Sequence, residues 1–371
     1  MTKQGQLPRW VDYGLLPALN LIAAFIVSGL VVVVIGEDPF EAVKWIVYGA
    51  LGYGEGVGFT LFYATNFIFT GLAVAVAFHA GLFNIGGEGQ AYVGGLGIAL
   101  ACLALDAYMP WYVTMIFAVL GGALFGAAWA FIPAWLQAKR GSHIVITTIM
   151  FNFIASSLMV YLLANLLIPQ GSMQPSTRNF DVGGQLPLLR NMWPTLDLGQ
   201  SPVNLAFFIA LVACVVVWLL IWRTKLGFEI RSFGANPTAA QYAGISPVRI
   251  IVVTMLISGA LAGLMGMNEV MGSQSKLLLD FTAGYGFVGI AVALMGRGHP
   301  IGIILASMLF GLLYQGGAEL AFEIPTISRE MIVVIQALVI LFAGALEHMF
   351  RPAVESFFAK ISQTKQAEGA A

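Results

Sequence analysis

Apolar runs of about twenty residues recur along this chain, and they leave few folds open to it. Residues 15–35 and 205–222 each carry enough consecutive apolar side chains to cross a hydrocarbon layer of about 30 Å. Charged residues make up only 9% of the 371, whereas a soluble domain carries roughly 25%. A membrane β-barrel would show short alternating segments instead. The expected fold is therefore all-α: a polytopic membrane protein of about ten transmembrane helices, some broken or re-entrant.

The ten spans fall roughly at 14–36, 58–80, 85–106, 111–138, 143–168, 203–222, 248–268, 284–296, 300–318 and 329–347. The eighth is too short to cross alone and reads as a half-helix packed inside protein. The first is too long for a signal core and is followed by no small-residue cleavage site, so it reads as a retained span. With the N-terminus inside, Lys3, Arg9, Lys139, Arg140, Arg223, Lys225, Arg231, Arg249, Arg297, Arg351, Lys360 and Lys365 fall on the cytosolic side. Lys44, Arg178, Arg190, Lys276 and Arg329 fall outside. This positive-inside bias predicts that both termini are cytosolic. The chain reads as one transmembrane domain, 1–371, with a membrane core at 14–350. Segments 37–58 and 169–202 read as outer loops.

Several chemistries have no carrier. No GxxxxGK[ST] phosphate loop, HExxH or GxSxG occurs. His79, His143, His299 and His348 are scattered near span ends, and Cys102 and Cys214 lie within apolar spans. They read as interfacial residues and small hydrophobes, so no metal or cofactor is expected. The net charge of −1 says nothing about acidic or basic partners, and no nucleic acid polymer is expected among them.

Four polar stretches interrupt the apolar pattern. Asn84, Glu88 and Gln90, set among glycines, either line a path or brace a broken helix; the alternative is a cytosolic turn. Thr148 and Asn152 stand four apart on one helix face and point either at a cavity or at a neighbouring helix. Glu269, Lys276 and Asp280 are expected outside, between spans seven and eight, in a re-entrant segment or a plain loop. The fourth stretch, 225–245, is cytosolic. There Asn236 is placed to cap a short helix that begins at Pro237 and ends before Gly244, with Ala239, Ala240 and Ala243 on its surface. It reads as a docking element for another protein or as a membrane-surface linker.

Two motifs carry a family resemblance. One is Asn84-Ile85-Gly86-Gly87-Glu88-Gly89-Gln90. The other is formed by Gly227, Arg231, Gly234, Asn236, Ala239, Ala240, Gly244 and Ile245. Both resemble the permeases of ABC importers for simple sugars, nucleosides and branched-chain amino acids, over roughly residues 60–350. The run Thr148-Ile149-Met150-Phe151-Asn152 resembles the nucleoside-type branch. That branch commonly carries Asn-Glu just before a Val-Ile-x-Thr run, where this chain has Ser142-His143.

The resemblance implies a multi-pass permease subunit of a bacterial cytoplasmic (inner) membrane. Its implied partners are a cytosolic ABC ATPase, a second permease subunit forming a heterodimer, and an external substrate-binding protein. It also implies ATPase coupling through Arg231, Gly234, Asn236, Pro237, Ala239, Ala240 and Gly244. Asn66, Asn84, Glu88, Gln90, Thr148 and Asn152 would then frame the substrate pathway. The expected function is ATP-driven nucleoside import, with no enzyme activity in this chain. The alternatives are the same machinery carrying a ribose-like sugar, or an ion-coupled secondary transporter. An ion-coupled transporter would need an intramembrane charge, for which Glu88 is the candidate.

Overall fold

The computed structural model describes residues 15–342, together with 11, 351–352 and 354–356. Among the described residues, fourteen α-helices follow in chain order: α1 (Leu16–Ile35), α2 (Pro39–Leu51), α3 (Gly54–His79), α4 (Gly87–Leu105), α5 (Trp111–Arg140), α6 (Ile144–Asn165), α7 (Leu189–Met192), α8 (Ala206–Arg223), α9 (Lys225–Ala235), α10 (Pro237–Tyr242), α11 (Pro247–Leu264), α12 (Tyr285–Met295), α13 (Pro300–Glu323) and α14 (Arg329–Ile340). A π-helical stretch, Met267–Ser273, prolongs α11. Among the described residues, eight helices are long and apolar enough to cross a membrane, and Tyr285–Met295 is a shorter apolar one. The expected tenth span lies partly beyond the described residues, as do the basic stretch 1–10 and the tail bearing Lys360 and Lys365.

The chain divides into two compact units, 1–47 with 316–371, and 48–315. In the first, α1 packs along α14, and the Ser28 hydroxyl donates to Ile335 O at 3.5 Å. The segment read as the loop 37–58 is largely helical: Asp38 Oδ1 accepts from Phe40 N at 2.8 Å and starts α2 at Pro39. The acids there mark a helix start rather than a loop.

In the second unit, α5 and α11 cross backbone to backbone. A Cβ on Gly126 would lie 2.2 Å from Gly259 O, and one on Gly263 would lie 2.2 Å from Gly122 O. Lipid gives helices no hydrophobic reason to associate, so such small-residue contacts carry the packing. A third partner, α4, joins this crossing where Gly94 meets Gly263.

Segment 169–202 is ordered by a buried acid. Asp106, just past α4, accepts from Arg178 Nη1 at 2.7 Å and Nη2 at 2.8 Å, and from Asp181 N at 2.9 Å. Its side chain is fully buried while that of Arg178 is 42% exposed. Burial alone would raise the Asp106 carboxyl, but the Arg178 guanidinium and the Asp181 amide outweigh it and hold the carboxyl below its ordinary value. Hydrogen bonding to Asp106 in turn raises Arg178.

Beyond the π-helical stretch the chain turns back along α4. Phe180 N donates to Ser275 O beside Asp106. Eleven residues later, Gly286 N donates to Glu88 in the first turn of α4. This descent through bends and turns therefore follows most of the helix, about 28 Å at 1.5 Å per residue. From there α12 runs about 16 Å to the level of His79, whose Nε2 lies 3.2 Å from Gly298 O. This segment is re-entrant, and the short eighth span is the half-helix that completes it.

Candidate functional site

The re-entrant segment and α4 begin at the same depth, so two helix N-termini meet inside the membrane. Glu88 joins them: Oε1 accepts from Gly284 N at 2.9 Å and Oε2 from Gly286 N at 2.7 Å. Each N-terminus carries unsatisfied N–H groups and partial positive charge, and a carboxylate answers both. Gly286 is required by proximity, since a Cβ there would lie 2.3 Å from Glu88 N.

Residues 80–86 climb to this point without helical bonding, so side chains must satisfy their backbone. Asn84 Oδ1 accepts from Gly86 N at 2.9 Å. Its Nδ2 donates to Gln90 Oε1 at 2.9 Å and to Ser258 Oγ at 2.8 Å. Ser258 in turn donates to Ala73 O at 2.6 Å. From α6, Asn152 Oδ1 accepts from Gly89 N and its Nδ2 donates to Ile85 O, both at 2.9 Å. Thr148 donates back to Ile144 O at 2.8 Å and packs its Cβ toward Gly86. Asn84, Glu88, Gln90, Thr148 and Asn152 thus form one node. Both ends of the Asn152 amide hold backbone, which is the helix-to-helix alternative for that stripe. The cytosolic-turn alternative for 84–90 fails because the segment lies about 16 Å deep along α12.

Asn66 belongs to a second node. Its Nδ2 donates to Glu269 Oε1 at 2.7 Å, and its Oδ1 accepts from Asn268 Nδ2 at 2.8 Å. Asn268 Oδ1 accepts from Asn204 Nδ2 at 2.9 Å, and Asn204 Oδ1 accepts from Ala206 N at 2.9 Å. Every amide in this chain donates toward the Glu269 carboxyl. The expectation that Glu269 lies outside the membrane is wrong: it is 4% exposed and sits in the span Pro247–Ser273. A π-helical turn extends that span beyond the point where polarity suggests a stop. Asn204 and Ser258 escaped sequence reasoning altogether, and Asn268 figured only as the start of the polar stretch 268–286. The one available signal was an amide at the edge of an apolar run.

The third element is the stretch 225–245, which holds two helices rather than one. Thr224 caps α9 by accepting from Gly227 N at 3.1 Å, and Asn236 caps α10 by accepting from Ala239 N at 3.0 Å. Gly244, at φ +84°, ends α10, and Ile245 N donates to Ala240 O at 3.0 Å. Asn236, Pro237, Ala239 and Gly244 are exposed, and Tyr242 is 90% exposed. Ala240 departs from expectation: it is 3% exposed and faces inward. A six-residue helix resting on its neighbour must bury one side, and Ala240 is on it. Arg231 and Gly234 lie on α9, partly buried. A Cβ on Gly234 would stand 2.2 Å from His79 O, so α9 rests directly on the end of α3.

Comparison with known proteins places this architecture. The chain is 35% identical to the guanosine ABC transporter permease protein NupP of Bacillus subtilis, across 89% of this chain and 93% of that protein. It is 32% identical to the nucleoside ABC transporter permease protein NupB of Lactococcus lactis subsp. cremoris, across 88% and 90%. It is 35% identical to the glucose ABC transporter permease protein TsgB13 of Haloferax volcanii, across 91% and 88%. A family model described as branched-chain amino acid transport system / permease component matches residues 56–344. With that model covering most of its length, the chain belongs to the branched-chain amino acid transport system permease family.

Proposed function

We propose that this chain is the membrane permease subunit of an ATP-driven importer of nucleosides. It works with a separate cytosolic ABC ATPase and an external binding protein, in the cytoplasmic membrane of a bacterium. A second, different permease chain completes the path. The chain acts as one permease domain, 1–371, with its coupling segment at 225–245 and outer segments at 37–58 and 169–202. The observation that carries the nucleoside reading is the near full-length similarity to two permeases named for guanosine and nucleosides.

Coupling would run through α10. The helix is capped at both ends, exposes Thr238, Ala239, Gln241 and Tyr242, and joins α9, which touches the end of α3. An ATPase that grips α10 differently with and without ATP would shift the membrane helices, since only a differential interaction moves such an equilibrium. The membrane-depth residues Asn66, Asn84, Glu88, Gln90, Thr148 and Asn152 would hold the path's shape. Importers loaded by a binding protein need no tight site within the membrane. A simple-sugar cargo is the second reading, favoured by similarity to the glucose permease.

Proteoliposomes bearing the permease, its genomically adjacent partners and internal ATP would be offered labelled guanosine, uridine, D-ribose and D-glucose. Saturable nucleoside uptake that needs ATP and survives collapse of the proton gradient is expected. Uptake of sugars alone would replace the cargo, and uptake driven by the proton gradient without ATP would refute the importer reading. Tyr242→Glu should abolish ATPase stimulation by the loaded binding protein while membrane insertion stays normal.

A further inference from the structure

Three elements bring aromatic rings together between the two polar nodes. Tyr63 and Phe67 stand one turn apart on α3, on the face that also carries Asn66. Tyr285 opens α12, and Phe310 and Tyr314 stand one turn apart on α13. The Phe67 centroid lies 5.0 Å from that of Tyr314 and 5.5 Å from that of Tyr285. Tyr63–Tyr314, Tyr285–Tyr314 and Tyr63–Tyr285 are 5.7, 6.0 and 6.3 Å apart. The rings meet edge-on or tilted, and no slab-shaped guest fits between them as they stand.

Packing alone does not explain the choice of residue. A tyrosine hydroxyl at membrane depth is costly without a partner, and phenylalanine would pack as well. Among the described residues, no hydrogen bond engages the hydroxyl of Tyr285 or Tyr314, and neither oxygen is among the buried atoms left without a partner, so both reach open space rather than a sealed core. Two acids flank the cluster: Glu269, bonded to Asn66 on α3, and Glu88 of α4, which accepts from Gly284 N and Gly286 N on either side of Tyr285. Neither pairs with a basic side chain among the described residues. The segment leading into Tyr285 holds Ser275, Asp280 and Ala283 at φ +52°, +53° and +44°. L-residues adopt this backbone at a cost, and such strain gathers where an element changes position.

We propose that the ring cluster is a closed gate on the transport path. When α12 swings aside, it admits a planar heteroaromatic ring between Tyr63, Tyr285 and Tyr314, and the Glu269 carboxylate accepts hydrogen bonds from hydroxyls of the attached sugar. The proposal rests on the nucleoside reading above. Aromatic faces stack on any nucleobase, so the gate would be tolerant of base identity. The carboxylate would demand the sugar hydroxyls.

The test uses the full transporter in proteoliposomes and scores labelled guanosine carried per ATP hydrolysed. Tyr314→Leu should lower that ratio at least tenfold, and Tyr314→Phe about threefold. Glu269→Gln should raise the KM for guanosine about tenfold and leave the KM for 2′,3′-dideoxyguanosine unchanged. If Tyr314→Leu fails to assemble, Tyr314→Phe and Glu269→Gln decide the matter, since both keep side-chain volume. Guanosine transport by wild type with unchanged ratios and KM values in the variants would overturn the gate and leave the nucleoside reading standing. Wild type that carries D-ribose and no nucleoside would overturn both.

Discussion

Replacing Arg178 with methionine should expose how strongly a buried acid organises segment 169–202. The change keeps the apolar stem and removes two charge-assisted hydrogen bonds, at 2.7 and 2.8 Å, from a carboxylate with no exposed surface. Breaking a buried ion pair from one side costs about 3–5 kcal/mol. Because the Arg178 side chain is 42% exposed, solvent screening places this case near the lower end, at about 3 kcal/mol. A loss of that size should lower the melting temperature by about 5 °C, read by tryptophan fluorescence in nanodiscs at pH 7. The pH dependence follows from the sign of each shift. In wild type, Asp106 is held below its ordinary value. Its contribution is present above the unfolded carboxylate pKa of about 3.9 and is lost only as pH falls through the lower folded value. In Arg178→Met, burial, the largest influence on Asp106, is opposed only by backbone donors such as Asp181 N, so the folded value rises. The variant then regains stability as pH falls, and the gap to wild type should narrow between pH 7 and pH 5. Adding Asp106→Leu should recover all but about 1 kcal/mol, because an apolar replacement of both partners leaves no orphaned charge. A gap that stays constant or widens on acidification would refute the reasoning.

The α5–α11 crossing should be similarly intolerant. Gly259→Val would drive side-chain atoms into Gly126 O, already 2.4 Å from an added Cβ, and overpacking of this kind costs about 1–3 kcal/mol; lost monodispersity on size-exclusion chromatography would show it, and an unchanged profile would count against close packing there. Asn152→Leu should leave Gly89 N and Ile85 O unpaired at membrane depth, costing about 2–6 kcal/mol for the two groups, whereas an unchanged melting temperature would release Asn152 from its bracing role.

Much of the fold could be read from the chain because bilayer thickness imposes a length on every span. The half-helix Tyr285–Met295 was legible for the same reason: eleven residues cannot cross alone. Helix α10 was legible through capping chemistry, since Asn236, Pro237 and Gly244 each favour one position at a helix end. The burial of Ala240 was not, because six residues are too few to display a buried face. Glu269 was misplaced because one carboxylate after an apolar run looks like the run's end. Its partner, Asn66, lies 203 positions away, and nothing local to either residue announces the pairing. The helix at Pro39–Leu51 was hidden by acids that serve its first turn.

On the coupling proposed above, the contact of Gly234 with His79 would make α3 a lever. About 24 Å of helix separates His79 from Tyr63 at 1.5 Å per residue. A tilt of about 5° at the inner end would therefore carry the Tyr63 ring by about 2 Å. That amounts to more than half the thickness of a nucleobase, so a small rocking of α9 would decide whether the rings touch one another or part.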